Sequence, residues 1–178
     1  VDPISGYIRL TGANTFIAPV LIQKGVVQLG TSSTALGNAA NVITIGDASG
    51  GGQGSAALLL GSIAINLANP IVVTSGSGGT ITLGSTTTAT PTFSGSIALN
   101  TSVDVFSTST SANGLLFSGI ISGAGGLNLP VGTGIVRLNN ANSAFTGGVT
   151  VNAGTLDINN SSDTVDPNTY TKGPLGKG

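Results

Sequence analysis

Apolar residues recur at every second position along this chain and nowhere settle into the 3.6-residue period of a helix. Ile8/Leu10, Val20/Ile22, Val27/Leu29, Ile43/Ile45, Ile63/Ile65, Ile81/Leu83, Ile97/Leu99, Val103/Val105, Leu127/Leu129, Val136/Leu138, Val149/Val151 and Leu156/Ile158 flank a polar or small residue in every case but Leu21. Such alternation puts one set of side chains on one face of a strand. Gly, Asn or Ser-Gly follows nearly every pair, so the pattern predicts an all-β chain of strands about three to five residues long.

One long stretch occurs twice. Gly6-Tyr7-Ile8-Arg9-Leu10-Thr11-Gly12-Ala13-Asn14 returns near the other end of the chain as Gly134-Ile135-Val136-Arg137-Leu138-Asn139-Asn140-Ala141-Asn142. After one inserted residue, Phe16, Val20, Ile22, Gly25, Val27 and Leu29 align with Phe145, Val149, Val151, Gly154, Leu156 and Ile158. Two echoes are shorter. Phe93-Ser94-Gly95-Ser96-Ile97 resembles Phe117-Ser118-Gly119-Ile120-Ile121, and Gly61-Ser62-Ile63-Ala64-Ile65-Asn66 resembles Gly95-Ser96-Ile97-Ala98-Leu99-Asn100 at a wider interval. A sandwich of short strands has no need of near-identical distant segments, whereas a solenoid sets like side chains above like. The expectation is a parallel β-solenoid with coils of roughly 20–25 residues, about seven or eight of them, and Gly and Asn at corners that need positive φ. Tyr7 aligns with Ile135, which implies packing. Arg9 and Arg137, Gln28 and Asp157, Leu21 and Thr150, and Val26 and Thr155 align at positions expected to face outward.

Composition narrows the function classes. Only 6% of the 178 residues are charged, 29 are Gly, and there is no Cys, Met, Trp or His. The net charge is −1 and the cations (Arg9, Lys24, Arg137, Lys172, Lys177) are scattered singly, so no basic face can form and nucleic acid is not an expected partner. The longest wholly apolar stretch runs from Ala56 to Leu60, far short of a membrane helix, and with two Tyr and no Trp the aromatic girdles of an outer-membrane barrel are missing. No membrane insertion by this segment is expected. The absence of Cys excludes disulfides, so packing alone must stabilise the fold.

Candidate chemistry is sparse. Asp47, Asp104 and Asp157, nearly evenly spaced, are the carboxylates a solenoid could gather on one face for polysaccharide cleavage. Against this, Asp157 aligns with Gln28, Asp47 lies in a Gly-rich turn, and no Arg or Lys is near them in sequence. Thiol and Ser-His nucleophiles are excluded by composition. Gly51-Gly52-Gln53-Gly54-Ser55-Ala56 resembles a Ca²⁺-binding nonapeptide but carries Ala56 where the carboxylate belongs, and no Lys follows the glycines to make a phosphate loop. Ser85-Thr86-Thr87-Thr88-Ala89-Thr90-Pro91-Thr92 reads as a loop rather than a flat Thr array. Tyr170 is the one aromatic free for sugar stacking. No catalytic, cofactor-binding or metal-ligating residue is assigned, no cofactor is expected, and the chain reads as not an enzyme.

Phe145-Thr146-Gly147-Gly148-Val149-Thr150-Val151-Asn152-Ala153-Gly154-Thr155-Leu156 resembles the autotransporter-associated β-strand repeat of bacterial autotransporter passengers. Ile121-Ser122-Gly123-Ala124-Gly125-Gly126-Leu127 and Gly134-Ile135-Val136-Arg137-Leu138 fit its lead-in, and Asn168-Thr169-Tyr170-Thr171 begins a degenerate further copy. The first copy departs from the pattern at Ile17-Ala18-Pro19, where the family has Thr-Gly-Gly. The resemblance implies a right-handed parallel β-helix (β-solenoid) in a large exported protein of the bacterial cell surface, and no catalytic activity.

The reading is therefore a single continuous solenoid segment over 1–178, an excerpt of a larger repeat protein, with repeat copies near 4–30 and 132–159. Its role is expected to be structural or adhesive: stalk, display or self-assembling scaffold. The alternative is a carbohydrate- or receptor-binding adhesin, and a polysaccharide-active enzyme ranks below it. Ile8, Leu10, Val20, Ile22, Val27, Leu29, Val136, Leu138, Val149, Val151, Leu156 and Ile158 form the expected inward ladders. Terminal coils leave open strand edges, so flanking repeats or head-to-tail self-association are expected partners, along with surface glycans or a host receptor.

Overall fold

Short alternating runs separated by Gly, Asn and Ser cannot cover both faces of a hairpin sheet, but they can line one side of a coil that is covered above and below by its own neighbours. The computed structural model describes residues 7–47, 54–61, 64–76, 78–162 and 172–177, and every strand pair in it is parallel. Three sheets run along the axis. Sheet I stacks β1 (Ile8–Leu10), β3 (Gly25–Leu29), β5 (Ala56–Leu60), β8 (Ile81–Ser85), β11 (Val103–Ser107), β14 (Leu127–Leu129) and β17 (Val149–Val151). Sheet II stacks β2 (Val20–Ile22), β4 (Ile43–Ile45), β7 (Ile71–Val73), β10 (Ile97–Leu99), β13 (Ile121–Gly123) and β16 (Ala144–Phe145). Sheet III stacks β6 (Asn66–Leu67), β9 (Thr92–Phe93), β12 (Leu115–Phe117), β15 (Ile135–Leu138) and β18 (Thr155–Ile158). The expected parallel β-solenoid is what the chain forms, and no helix occurs among the described residues.

The core is a set of aliphatic ladders. On sheet I, Val27, Leu58, Leu83 and Val105 stand in register, and on sheet II so do Ile43, Ile71, Ile97 and Ile121. On sheet III the ladder Leu67, Phe93, Phe117, Leu138 carries two Phe rings, Phe93 and Phe117, stacked 5.1 Å apart at 18°. Both rings are fully buried. Ile22, Leu29, Val136 and Leu138 of the expected ladders are buried as well, while Leu10, Val20, Val27, Val149 and Leu156 are partly covered. Ile8, Val151 and Ile158 keep the ladder register but are exposed, because each lies in a terminal coil.

Coil length varies more than the sequence suggests. Ile8 stacks on Val27 and Val27 on Leu58, so the second coil is much longer than the first. Later coils, such as Leu127 on Val149, are short again. Sheet II, with six strands, closes about 5 turns and sheet I, with seven, one more, against the seven or eight coils expected. The echo of Phe93 in Phe117 is a true coil, with one ring directly over the other. The echo of Gly61–Asn66 in Gly95–Asn100 is not, since Asn66 belongs to sheet III and Ile97–Leu99 to sheet II.

The two long sequence copies occupy different sheets. The first copy runs β1, β2, β3 on sheets I, II, I, and the second runs β15, β16, β17, β18 on sheets III, II, I, III. Each copy nevertheless closes one turn: β1 pairs with β3 and β15 with β18. A repeat here encodes a turn of the coil and the inward or outward sense of each side chain, not the side of the prism on which it starts.

Corners use Gly and Asn for separate reasons. Every positive φ among the described residues is at Gly, for example Gly25, Gly46 and Gly123, and none is at Asn. Asn acts instead through its amide. Asn41 Nδ2 donates to the carbonyls of Phe16 and Leu36 while its Oδ1 accepts from the Ala18 N–H. One coil on, Asn69 Nδ2 donates to the carbonyls of Asn38 (2.9 Å) and Asn41 (3.0 Å). Both Asn side chains are buried, and among the described residues no buried side-chain nitrogen or oxygen lacks a partner. Truncating Asn69 to Ala strands those two carbonyls, at a cost of about 2–4 kcal/mol. The half-exposed Asn140, whose Nδ2 donates only to the Ser118 carbonyl, should cost under about 1 kcal/mol when made Ala, because water can replace it. Urea midpoints of the two variants would order them, and equal midpoints would refute the buried ladder as the source of stability.

Candidate functional site

The three candidate carboxylates do not converge. Asp47 follows β4 and Gly46 at the corner between sheets II and I, Asp104 lies on the outer surface of sheet I, and Asp157 lies on the outer surface of sheet III. The separation follows from coil length. The intervals between them are not whole numbers of coils: two coils on from Ile45 the register reaches Leu99, short of Asp104, and two coils on from Asp104 it reaches Thr150, short of Asp157.

Asp104 is in register with Thr82 on one side and Asn128 on the other. Partial burial raises its pKa above the ordinary 3.8, and a hydrogen bond with the Asn128 side chain works in the opposite direction. Burial is the larger influence, so the folded state holds the Asp104 proton more tightly than the unfolded chain does. Stability from this group is therefore complete below the unfolded pKa and declines as pH rises through the folded one. Asp104→Asn is expected to flatten that decline, giving a variant at least as stable as the parent at neutral pH. Urea midpoints at pH 3 and pH 7 test this, and a variant that loses stability only at pH 7 would reverse the sign.

Asp157 has a partner that its sequence neighbours do not reveal. Arg137 stands directly beside it in register, one coil back. Arg137 Nε donates to Asp157 Oδ2 at 2.7 Å, and Nη2 forms the ion pair with the same oxygen. Nη1 donates to Asn113 Oδ1 and Nη2 to the Ala112 carbonyl (3.0 Å), so one guanidinium ties three successive coils together. The signal that finds this pair is the coil period itself: residues about one coil apart on the outward parity are neighbours. Bonded to Asp157, Asn113 and Ala112 of its own chain, the Arg137 guanidinium is a clip on the outer surface of sheet III.

The remaining motifs resolve into structure. The Ser85 to Thr92 run is a corner stacked on a second Ser/Thr corner, residues 107–111. Thr87 N–H donates to Ser85 Oγ, Thr108 Oγ1 to the Ser85 carbonyl, and Ser109 Oγ to the Ala89 carbonyl. Ser85, Ser107 and Ser109 are buried, so these hydroxyls serve the turn and do not form a flat outer array. Ala56, at the carboxylate position of the nonapeptide-like run, begins β5 and is buried. Gly51, Gly52 and Gln53 lie outside the described residues, as do Tyr170 and the Asn168–Thr171 stretch.

Tyr7 corrects an expectation. It is 55% exposed rather than packed, because no described coil lies above β1. With Ile8, Lys24, Gly25, Val26 and Val27 it borders a shallow groove of ≈ 330 Å³ at the edge of sheet I, where three-residue β1 leaves the start of five-residue β3 uncovered. Among the described residues no group of three or more His, Cys, Asp or Glu is placed to hold a metal.

The C-terminal edge differs from an open strand end. Residues 172–177 lie along β16, with Gly173 N–H donating to the Ser143 carbonyl and Lys177 N–H to the Phe145 carbonyl, both at 2.8 Å. Gly173, Pro174 and Gly176 are buried there. Sheet II is thus continued past its last strand.

Comparison with known proteins finds one family. No curated protein matches the chain, and no solved structure does. The family model of the passenger-associated-transport-repeat matches residues 131–158. That stretch contains β15 to β18, the one full turn that the second sequence copy closes. Residues 131–158 therefore match an autotransporter passenger repeat, and the chain builds them as one coil of a parallel β-solenoid.

Proposed function

We propose that this chain is a structural module of an exported bacterial protein, a stalk or display segment that holds other parts of that protein away from the cell surface. The observation that carries this reading is the unbroken register of three parallel sheets, in which each coil is the template for the next and the stability is additive along the axis. Its passenger repeat belongs to a family of exported, surface-associated proteins. The candidate acids lie on different sides of the prism, and the polar cluster around Arg137 is bonded to groups of its own chain. On this reading the chain performs no catalysis, and flanking repeats continue it at its ends.

A second reading, adhesion to a glycan or receptor, draws on the outer surface of sheet I. Thr82, Asp104, Asn128 and Thr150 stand there in one register column, with Phe106 beside Asp104 on the same outward parity. Excision of residues 97–120 separates the two readings. Ile97 and Ile121 are register equivalents, so the cut removes one coil, including Asp104 and Phe106. A stalk should still fold, shorter by about 4.8 Å, and still be exported in its parent protein. Glycan-array binding by the intact chain that disappears on excision would favour adhesion. Failure of the excised chain to fold, judged by far-UV circular dichroism, would overturn coil-by-coil additivity.

A further inference from the structure

Asn113–Gly114 is the single Asn-Gly pair of this chain. It lies in the turn before β12, with Asn113 exposed and Gly114 buried. The corner cannot give up its glycine. Gly114 has a φ of 58°, and a Cβ built on it would overlap the Ile135 carbonyl of the next coil.

A glycine after asparagine carries a chemical hazard, because no Cβ shields its amide nitrogen from the neighbouring side chain. When that nitrogen attacks Asn113 Cγ, the N–Cγ bond forms and the amide proton passes to solvent base. The Cγ–Nδ2 bond then breaks and ammonia leaves. Water opens the resulting succinimide ring, either to an aspartyl residue or to an isoaspartyl linkage. The isoaspartyl linkage adds a methylene to the main chain beside Gly114, where the backbones of two coils already meet.

The structure engages both reacting groups. Gly114 N–H donates to the Ser111 carbonyl at 2.9 Å, and a carbonyl cannot accept the proton that the nitrogen must lose before it attacks. Asn113 Oδ1 accepts from Arg137 Nη1. Arg137 is itself held by Asp157 and by the Ala112 carbonyl, so it cannot follow the amide. Ring closure turns the Asn113 side chain back on its own backbone and breaks the Nη1 bond. Two effects of Arg137 oppose one another. A donor on Oδ1 also stabilises the oxyanion of the attack, which is worth about 10²–10³ in rate. Alignment is worth more, about 10⁵–10⁸ M of effective molarity for well-oriented groups, and alignment is what the clip denies.

We infer that Asn113–Gly114 is a latent self-modification site and that the Arg137 clip keeps it in the amide form. Arg137 is a positioning residue in this role, acting on the reaction by where it holds Asn113. The role is separate from its ion pair with Asp157 and does not depend on the stalk reading.

The test incubates the folded chain at mildly alkaline pH and follows position 113 by peptide mapping and mass spectrometry, reading the replacement of NH₂ by OH. The parent should convert about tenfold or more slowly than a free peptide of residues 108–118. Arg137→Gln should raise the rate at Asn113 by about fivefold or more. Asp157→Asn removes the ion pair but leaves Nη1 on Asn113, so it should convert at the parent rate. Urea midpoints of the two variants show how far each loses stability. A parent that converts as fast as the peptide overturns the inference, and so does Arg137→Gln at the parent rate. Equal acceleration in both variants would assign the protection to coil stability and overturn the role of the contact.

Discussion

Gly119→Ala is expected to lower the unfolding free energy by about 3–5 kcal/mol, among the largest effects of any single methyl group in this chain. Gly119 follows β12 at the corner between sheets III and II. A Cβ built there would lie inside the van der Waals envelope of the Gly95 carbonyl oxygen, one coil away. Gly95 in turn faces the Asn69 carbonyl in the same manner. Both neighbours are backbone, which cannot rotate aside as a side chain would. The hydrogen bonds at stake are those from the Ser118 and Gly119 N–H groups to the Phe93 carbonyl, at 3.0 and 3.2 Å, and they set the spacing between the coils. Gly119 has no positive φ, so the cost is steric and not conformational. Gly12→Ala is the control: nothing lies within 4 Å of its Cβ position, and its midpoint should move by under about 0.5 kcal/mol. If urea denaturation gives the two variants equal midpoints, the corners are not the close approach described.

Phe117→Ala is expected to cost about 3–5 kcal/mol, through lost burial and the cavity that remains. The ring lies in the Leu67, Phe93, Phe117, Leu138 ladder and stacks on Phe93 at 5.1 Å. A solenoid closes this space poorly, because the coils above and below are held apart by their own hydrogen bonds. Phe117→Leu, which keeps most of the volume, should cost under about 1.5 kcal/mol. Thermal melts followed by far-UV circular dichroism would show the order. A Phe117→Ala variant as stable as Phe117→Leu would mean that the ladder relaxes around the gap. The loss should also be felt locally, since each coil is stabilised mainly by its nearest neighbours. Hydrogen exchange should therefore rise first in β9, β12 and β15.

Much of the architecture is legible in the residues because a parallel coil imposes simple rules. Alternation by two reports directly on which side chains point inward, and it places Ile43/Ile45, Ile97/Leu99 and Val136/Leu138 correctly. It misses β5, Ala56–Leu60, where all five residues are buried. Leu59 points outward there, between Gln28 and Gly84 in register, and Gln28 Nε2 hydrogen-bonds Thr86 Oγ1 two coils further on. An apolar residue on the outward parity breaks the alternation, and only the neighbouring coils can bury it. Strand β16, two residues long, and β7, flanked by Pro70, give too little pattern to stand out.

The candidate chemistry was less legible than the fold, for a related reason. Pairing between outward groups depends on coil length, and coil length depends on loops that carry no period. Arg137 and Asp157 are one short coil apart and touch, whereas Asp47 and Asp104 sit at different points of their coils, since Ile45 is in register with Val73 and Leu99.

By itself the sequence determines that this chain is β throughout, that its side chains alternate inward and outward, and that its segments repeat as turns of a coil. Those properties are local: they follow from period-two patterning, from glycine where only φ > 0 will serve, and from the matching of one copy to another. The tertiary structure alone decides which sheet each copy occupies and that Asp157 meets Arg137. These depend on the length of every coil between two points on the axis, and the second coil keeps its register, Val27 on Leu58, although it is much longer than the first, so spacing in the sequence does not report position on the prism.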